Sequence, residues 1–266
     1  MQTIKYKIEI EGGRLACLIF LPDKLSDNIL SGTLPGDAIK AMVIACHGFR
    51  GGKENGGRIG SLGGKLTAHG FGLLAFDFRG TGESSGSFTD MTVSAQAADL
   101  QQVISWVEYT YKVPPIVLGR SLGGSTALTA ASNDERLAAM VLWSTPIKVR
   151  ETFAAILGPL ADEMAAGKTI TIQDDYSTYQ LGSGFWMDLD NHNFERCLQQ
   201  SGANPLLVIH GEADEIVSLN NAMIVKKAVP SAQLITVPGA DHKFISGWEL
   251  RENLTVAWLN YLFTRR

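Results

Sequence analysis

Cysteine, long apolar runs and clustered positive charge are all scarce in this sequence. The 266 residues include three cysteines, Cys17, Cys46 and Cys197, which lie far apart and form no Cys-x-x-Cys pair. An odd number of cysteines without this spacing argues against a disulfide framework and against a zinc site. The glycines at 48–52 are not followed by Gly-Lys-Ser/Thr, so they do not indicate a nucleotide-binding loop. We therefore expect neither a metal nor a cofactor.

The distribution of apolar and charged residues also limits the partners. No apolar run approaches the roughly 18 residues that a membrane span needs. Residues 2–10 alternate polar and apolar side chains, which predicts a strand and not the apolar core of a signal peptide. Lys and Arg number 23 against 27 Asp and Glu, giving a net charge of −4 with no basic block. We therefore expect a cytoplasmic protein without nucleic-acid or membrane partners.

Short apolar runs alternate with helix-length segments through most of the chain. The runs lie at 41–46, 72–76, 116–118, 140–143, 206–209 and 234–237. Runs without alternation are typical of parallel strands that are buried on both faces. Helices are predicted at 58–69, 92–110, 121–132, 218–228 and 246–263. The pattern predicts an α/β fold with a mostly parallel sheet and helices on both faces, and residues 2–10 and 14–21 would add a hairpin at one edge.

One interval is too long for a simple crossover between strands. About 60 residues separate the runs that end at Trp143 and begin at Leu206, far more than a βαβ unit requires. We predict a small inserted cap at 148–200 on a core formed by 1–147 and 201–266. A helix at 150–166, a short strand at 169–172 and a helix at 194–200 are predicted in or near it. The alternative is an ordinary helix with long loops.

A serine motif follows the third of the buried runs. Residues 119–123 fit Gly-x-Ser-x-Gly, a weak pattern alone, with Ser121 at its centre. The run 116–118 precedes it and a helical stretch at 125–131 follows, which is the strand–turn–helix setting of a nucleophile elbow. The glycines would let strand and helix approach while the turn exposes the serine. The alternative is a glycine-rich connection with an incidental serine.

A serine nucleophile needs a base and an acid, which follow it in chain order in such folds. His242, in a loop after the last strand-like run, ranks first as the base, ahead of His192 and His210. Asp214, in the loop after the run 206–209, ranks first as the acid. Glu212 and Glu215 on the same loop are the alternatives. Asp241 is disfavoured as the acid because the side chains of adjacent residues, here Asp241 and His242, point apart.

Two backbone amides are candidates to stabilise an oxyanion. One is Leu122, at the start of the helix that follows the serine. The other is Phe49, because the second donor is expected in the loop after the strand at 41–46, and Gly48 lets the backbone approach a substrate. His47 in this loop precedes the serine, so we predict that it holds the loop by hydrogen bonds.

Taken together, these segments resemble the α/β-hydrolase superfamily. In chain order they are 47–49 (HGF), 77–84 (DFRGTGES), 119–124 (GRSLGG), 210–214 (HGEAD) and 239–242 (GADH). Within the superfamily the sequence is most similar to feruloyl and cinnamoyl esterases, on the segments 47–49, 77–80 and 86–93 and on the insertion before residue 205. The resemblance implies a triad of Ser121, Asp214 and His242 beneath a small cap. The sequence departs from that group at three positions. Arg120 stands where the group usually has His, Leu122 where Gln is frequent, and Ser218 where Pro often follows the loop of the acid.

The preferred hypothesis is a serine esterase that cleaves small-molecule carboxylic esters through an acyl-enzyme. Four aromatic residues of the cap would bias it towards hydrophobic or aromatic, hydroxycinnamoyl-type acyl groups: Tyr176, Tyr179, Phe185 and Trp186. The alternatives are a peptidase or amidase with the same triad and a non-catalytic ligand-binding module. A dehalogenase or epoxide hydrolase needs a carboxylate at the elbow, which Ser121 does not supply. The patterns are compatible with a homodimer and do not define the oligomeric state.

Overall fold

The computed structural model describes residues 1–23, 39–173, 177–201 and 204–265. Most of the residues between the predicted hairpin and the first apolar run, 24–38, lie outside the described residues, as does Tyr176. Within the described ranges, no helix is long and apolar enough to cross a membrane. Those same ranges contain no group of three His, Cys, Asp or Glu residues that could hold a metal ion.

The core of the molecule is a mostly parallel sheet. The strands of the described residues are β1 (Gln2–Ile10), β2 (Gly13–Leu21), β3 (Met42–Cys46), β4 (Gly72–Phe76), β5 (Pro115–Arg120), β6 (Ala139–Trp143), β7 (Ile170–Gln173), β8 (Thr178–Leu181), β9 (Leu206–Gly211) and β10 (Gln233–Val237). Eight of them form one sheet in the order β1-β2-β4-β3-β5-β6-β9-β10. Strands β3 to β6, β9 and β10 run parallel, while β1 and β2 pair antiparallel at one edge.

Helices cover both faces of this sheet. They are α1 (Ile59–Ala68), α2 (Val93–Tyr111), α3 (Leu122–Ala131), α4 (Val149–Leu157), α5 (Leu160–Ala165), α6 (Ser183–Asp188), α7 (Phe194–Gln200), α8 (Asn220–Ala228) and α9 (Trp248–Thr264). The apolar side chains of α1 and α9 pack on one face, and those of α2, α3 and α8 pack on the other. Every residue of β3, β4 and β6 is buried, which is why their sequences do not alternate. The predicted fold class is confirmed.

In its described residues, the segment between β6 and β9 contains the helices α4 to α7 and the antiparallel pair β7 and β8. The single helix predicted at 150–166 is wrong, because Gly158, with a φ of +53°, and Pro159 divide it into α4 and α5. The segment contacts loops that follow parallel strands. The Gly182 N–H donates to the Thr89 carbonyl at 3.1 Å, and the Ser94 N–H donates to Asp188 at 2.9 Å. The segment therefore packs against the connection that leads from the carboxyl end of β4 into α2.

Candidate active site

Ser121 occupies a strained turn between β5 and α3. Its φ of +52° and ψ of −127° are rare for a residue with a side chain. Two backbone hydrogen bonds fix this conformation. The Ser121 N–H donates to the Trp143 carbonyl at 2.8 Å, and the Gly124 N–H donates to the Ser121 carbonyl at 2.8 Å. The turn thus presents the serine at the end of the sheet.

The glycines around the serine are required by close backbone packing. A Cβ atom at Gly119 would collide with the backbone of Gly124 on α3. A Cβ atom at Gly123 would collide with the carbonyl oxygens of Cys46 and His47 at the end of β3. The elbow therefore brings β5, α3 and the loop after β3 closer together than any side chain would allow.

His242 joins the serine to a carboxylate. Its Nε2 lies 3.2 Å from the Oγ of Ser121, and its Nδ1 lies 3.0 and 2.9 Å from the two carboxylate oxygens of Asp214. With the proton on Nδ1, the ring donates to Asp214 and accepts from the serine hydroxyl. The backbone N–H of His242 donates to the Glu215 carboxylate at 3.1 Å, which anchors the loop. The structure brings together the three residues that ranked first in the sequence.

Asp214 is fully buried and surrounded by donors. The N–H groups of Ile216 and Val217 donate to its Oδ1 at 3.0 and 2.7 Å. Burial alone would raise the pKa of Asp214, but hydrogen bonds from His210 and His242 outweigh it and hold that pKa well below the ordinary value. The carboxylate therefore stays charged opposite His242.

The lower-ranked candidates have other partners. His210 is buried, and its Nε2 lies 2.8 Å from the Val217 carbonyl and 3.3 Å from Asp214, so it supports the acid loop. His192, in the segment between β6 and β9, bonds to Asp188 of the same segment and to Ser94 in the first turn of α2. Glu212 accepts from the Thr236 hydroxyl at 2.8 Å. The contact between His210 and Asp214, four residues apart, is one that the sequence reasoning missed.

The loop after β3 approaches the serine closely. A Cβ atom at Gly48 would lie 3.0 Å from the Cβ of Ser121, so the backbone that leads into Phe49 passes beside the nucleophile. The amide of Leu122 follows Ser121 directly and begins α3. Both predicted oxyanion donors therefore belong to backbone segments that meet at Ser121.

His47 fixes the shape of this loop. Its Nδ1–H donates to the Gly48 carbonyl at 2.8 Å, and its Nε2 accepts the backbone N–H of Phe78 at 3.2 Å. Burial is the main effect that lowers the pKa of His47, which favours the neutral ring that this hydrogen-bond pattern needs. The neighbouring Asp77 is buried and accepts from the backbone N–H and the Nζ of Lys53 at 2.7 and 2.8 Å. The segment 77–84 thus holds the loop after β3 in place.

Aromatic side chains pack over the loop after β3. The ring of Phe49 lies 5.1 Å from that of Phe153 and 6.0 Å from that of Phe185. Phe88 lies 5.7 Å from Phe49 and 5.0 Å from Tyr179. Of the predicted substrate residues, Phe185 therefore contacts Phe49 directly, and Tyr179 reaches it through Phe88. Neither Phe88 nor Phe153 was predicted from the sequence as a member of this cluster, although Phe153 lies in the helix predicted at 150–166.

Trp186 has a different environment from its neighbour Phe185. The Arg150 guanidinium lies 4.5 Å above the Trp186 ring, and an Arg150 N–H donates to the Trp186 carbonyl at 2.8 Å. Among the described residues, the Trp186 ring forms no ring–ring contact with Phe49, Phe88, Phe153 or Phe185, although it is buried in the same hydrophobic core. Trp186 thus differs from Phe185 in that its ring packs on Arg150 and not on the ring of Phe49.

A cleft of about 380 Å³ opens next to this loop. Its positively charged lining residues are Arg50, Arg58, Arg120, Lys243 and Arg251. The described residues that line it include no Asp or Glu. Arg120 directly precedes Ser121 and Lys243 directly follows His242, so this basic cleft adjoins the serine site.

Residues 37–181 match the family model described as serine aminopeptidase, S33. The uncharacterized protein YfhR of Escherichia coli K12 is 27% identical over 220 residues, which are 80% of this chain and 67% of that protein. The mitochondrial palmitoyl-protein thioesterase ABHD10 of Homo sapiens is 26% identical over 202 residues, 72% of this chain and 62% of that protein. This chain thus spans about two thirds of the length of these curated relatives.

Solved structures share the fold over nearly the whole chain. Est1E from Butyrivibrio proteoclasticus with ferulic acid bound has a TM-score of 0.78 at 20% identity, covering 97% of this chain and 99% of that one. The alpha/beta hydrolase GrgF from Penicillium sp. sh18 has a TM-score of 0.73 at 15% identity, covering 100% and 99%. At these identities the likeness establishes the fold and leaves the substrate open.

Proposed function

Because this chain belongs to the serine aminopeptidase S33 family and has the α/β-hydrolase fold, we propose that it is a serine esterase that works through an acyl-enzyme intermediate. The observation that carries the proposal is the hydrogen-bonded chain from the Ser121 hydroxyl through His242 to Asp214. Such a chain turns a weakly nucleophilic hydroxyl into a nucleophile, because the imidazole takes its proton during attack.

In the proposed mechanism, the Oγ of Ser121 attacks the ester carbonyl while His242 Nε2 accepts the hydroxyl proton. Asp214 stabilises the imidazolium and keeps its orientation. The amides of Phe49 and Leu122 donate to the oxyanion, an interaction that contributes about 2.7–4 kcal/mol per donor in comparable sites. His242 then protonates the leaving alcohol. Water, activated by the same histidine, attacks the acyl-enzyme, releases the acid and restores Ser121.

The acyl group is proposed to bind beneath the segment 148–200, acting as a cap. The support is that Phe153 and Phe185 from this segment contact Phe49, whose amide is one of the proposed oxyanion donors. An aromatic wall at this place favours hydrophobic or hydroxycinnamoyl-type acyl groups, since rings stack on it. Est1E, which shares the fold, has been solved with ferulic acid.

An aminopeptidase with the same triad is the second candidate, because the matching family model carries that description. An aminopeptidase must bind the positively charged amino terminus of its substrate. The basic cleft would repel such a group, and its described lining residues include no carboxylate to hold one. This charge distribution favours the esterase.

The two functions can be separated by comparing p-nitrophenyl esters from acetyl to octanoyl, methyl ferulate and aminoacyl p-nitroanilides as substrates. We expect ester turnover to exceed anilide turnover, and Ser121→Ala to lower kcat by about 10³-fold or more. Ser105→Ala, on the exposed side of α2, is the matched control and should retain wild-type rates. Faster anilide turnover would support the peptidase, and full ester activity in Ser121→Ala would refute the mechanism.

A further inference from the structure

The basic cleft concentrates positive charge in a protein that is negative overall. Five of its ten lining residues are Arg or Lys, whereas the whole chain has a net charge of −4. These five come from three separate parts of the chain: the loop after β3, the elbow, and the region from His242 to α9. The fold therefore gathers cations that are distant in sequence at one place, next to the serine site.

Arg251 is the most deeply buried of these cations, with 2% of its side chain exposed. Its guanidinium lies 4.1 Å from the ring of Trp143 and 4.6 Å from that of Phe244, which fixes its position. Its Nε and Nη1 have no hydrogen-bond partner in the described part of the chain. A buried donor without a partner is costly, so a ligand that accepts from this group would be favoured.

Three of these cations, Arg58, Arg120 and Arg251, form no ion pair with a carboxylate among the described residues, since no Asp or Glu oxygen there lies within 4 Å of them. The Nε of Arg120 is buried and unpartnered, and its Nη1 contacts only the Asn55 oxygen at 3.4 Å among those residues. Glu252, next to Arg251, is already bound to Lys65 at 2.9 Å.

Burial and mutual repulsion disfavour the charged form of two of these guanidinium groups. Burial, followed by the charge of Arg120, lowers the pKa of Arg251 to about 9. Burial and the charge of Arg58 lower the pKa of Arg120, although Asp214 and Asp241 act in the opposite direction. An oxyanion between these groups would reduce the repulsion between them and accept hydrogen bonds from their unpartnered N–H groups.

We propose that the basic cleft is an anion-binding subsite, and that the physiological ester carries a carboxylate or phosphate group that Arg58, Arg120 and Arg251 recognise. This proposal rests on the proposed esterase function. The cleft shares Phe49 with the proposed oxyanion site, and Arg120 and Lys243 are the chain neighbours of Ser121 and His242, so an anion in the cleft can belong to a small molecule whose ester reaches the serine. Guanidinium groups suit both anions, because their paired N–H groups match two oxygens of either.

The kinetic test compares two esters that differ in charge and are nearly equal in shape, para-carboxyphenyl butyrate and para-carbamoylphenyl butyrate. At low salt we expect kcat/KM to be about tenfold higher for the carboxylate, the scale of one charge-assisted hydrogen bond. Arg58→Gln should bring the ratio near one, and the matched control Arg196→Gln, on the exposed side of α7, should leave it unchanged. A wild-type ratio near one would overturn the proposal while leaving the esterase function intact.

A binding experiment decides the matter independently of turnover. Calorimetric titration of Ser121→Ala compares the non-hydrolysable amides para-butyramidobenzoate and para-butyramidobenzamide, with inorganic phosphate as a competitor. We expect about tenfold tighter binding of the carboxylate, lost when Arg58→Gln is added to Ser121→Ala. Acetate is used as a second competitor. If phosphate displaces the bound carboxylate amide at a lower concentration than acetate does, the anionic group of the physiological ester is a phosphate, and the reverse order indicates a carboxylate. Equal binding of the two amides without any phosphate binding would overturn the proposal, even if no ester were turned over.

Discussion

Asp214 and Asp77 are both buried carboxylates, but they serve different parts of the site. Asp214 faces His242 and accepts from backbone amides of its own loop. Asp77 holds Lys53 and, with the segment that follows it, supports the loop that carries Phe49. Since charge burial is costly without compensation, each is fully supplied with donors. One carboxylate thus orients the proposed base, and the other shapes the proposed oxyanion site.

The lowered pKa of Asp214 predicts how stability depends on pH. An unfolded Asp titrates near pH 3.9, and the folded pKa lies below that value. The ionised carboxylate therefore stabilises the fold above about pH 4, and this contribution is lost as pH falls through the folded pKa. Urea unfolding of wild type and Asp214→Asn between pH 7 and pH 3 measures it. We expect the stability of the wild type to fall more steeply below about pH 4, and parallel curves would show that Asp214 is not stabilised.

At the residue scale, the sequence predicted the site residues that belong to local motifs. Ser121, Asp214 and His242 each follow a recognisable strand, so their relative positions followed from the fold class. The grouping of Arg251 with Arg120 was not predictable, because the two are far apart in the chain and no motif connects them. The contact of His210, a lower-ranked candidate for the base, with Asp214 was also missed, although the two are only four residues apart.

The elbow formed by β5 and α3 depends on backbone contacts that are too close to leave room for a Cβ atom on its glycines. Gly123→Ala would push α3 away from the carbonyl oxygens of Cys46 and His47. We expect a loss of roughly 1–3 kcal/mol in the free energy of unfolding and reduced ester turnover, because the proposed oxyanion donors would separate. Gly64→Ala, on α1 with open space around it, is the matched control.

Gly64→Ala should be neutral or slightly stabilising, since Ala is favoured over Gly within a helix by about 0.5–1 kcal/mol. Denaturant unfolding and kcat/KM for p-nitrophenyl butyrate measured on both variants provide the comparison. If Gly123→Ala behaved like Gly64→Ala in both measurements, the steric account of the elbow would be wrong.

At the element scale, the pattern of apolar residues predicted the strands of the sheet better than the elements of the segment between β6 and β9. All six apolar runs became strands of the main sheet, because burial on both faces leaves a clear sequence signal. The strand at 169–172 was predicted, but its partner β8 and the short helix α6 were not. These elements are only four and six residues long, too short for a periodic pattern to be detected.

For the molecule as a whole, the proposed cap and core meet at the aromatic cluster on Phe49. Phe185 is buried between Phe49 and Phe153. Phe185→Ala should therefore cost about 3–5 kcal/mol of stability and shift the preferred acyl chain towards longer or bulkier groups, because it opens space beside the proposed oxyanion site. Met187→Ala, an exposed change on the same helix, is the control. An unchanged chain-length profile in a folded Phe185→Ala would show that this cluster does not shape the acyl pocket.

The meeting of these rings was beyond what the sequence could predict. Phe49, Phe88, Phe153 and Phe185 come from four separate segments, and each alone has the composition of ordinary core. Tyr176, Tyr179 and Trp186 looked equally suitable because aromatic identity does not reveal which way a side chain packs. Only the tertiary arrangement distinguishes Phe185 from Trp186, its neighbour in sequence.

Covalent labelling of Ser121 is the most direct test of the central claim. The protein is incubated with a fluorophosphonate probe, and intact-mass and peptide-mass measurements locate the adduct. The account predicts a single adduct on Ser121, absent in Ser121→Ala and strongly slowed in His242→Ala, because the hydroxyl needs the imidazole to lose its proton. Absence of an adduct in the wild type would contradict the account and favour a non-catalytic ligand-binding module of this fold.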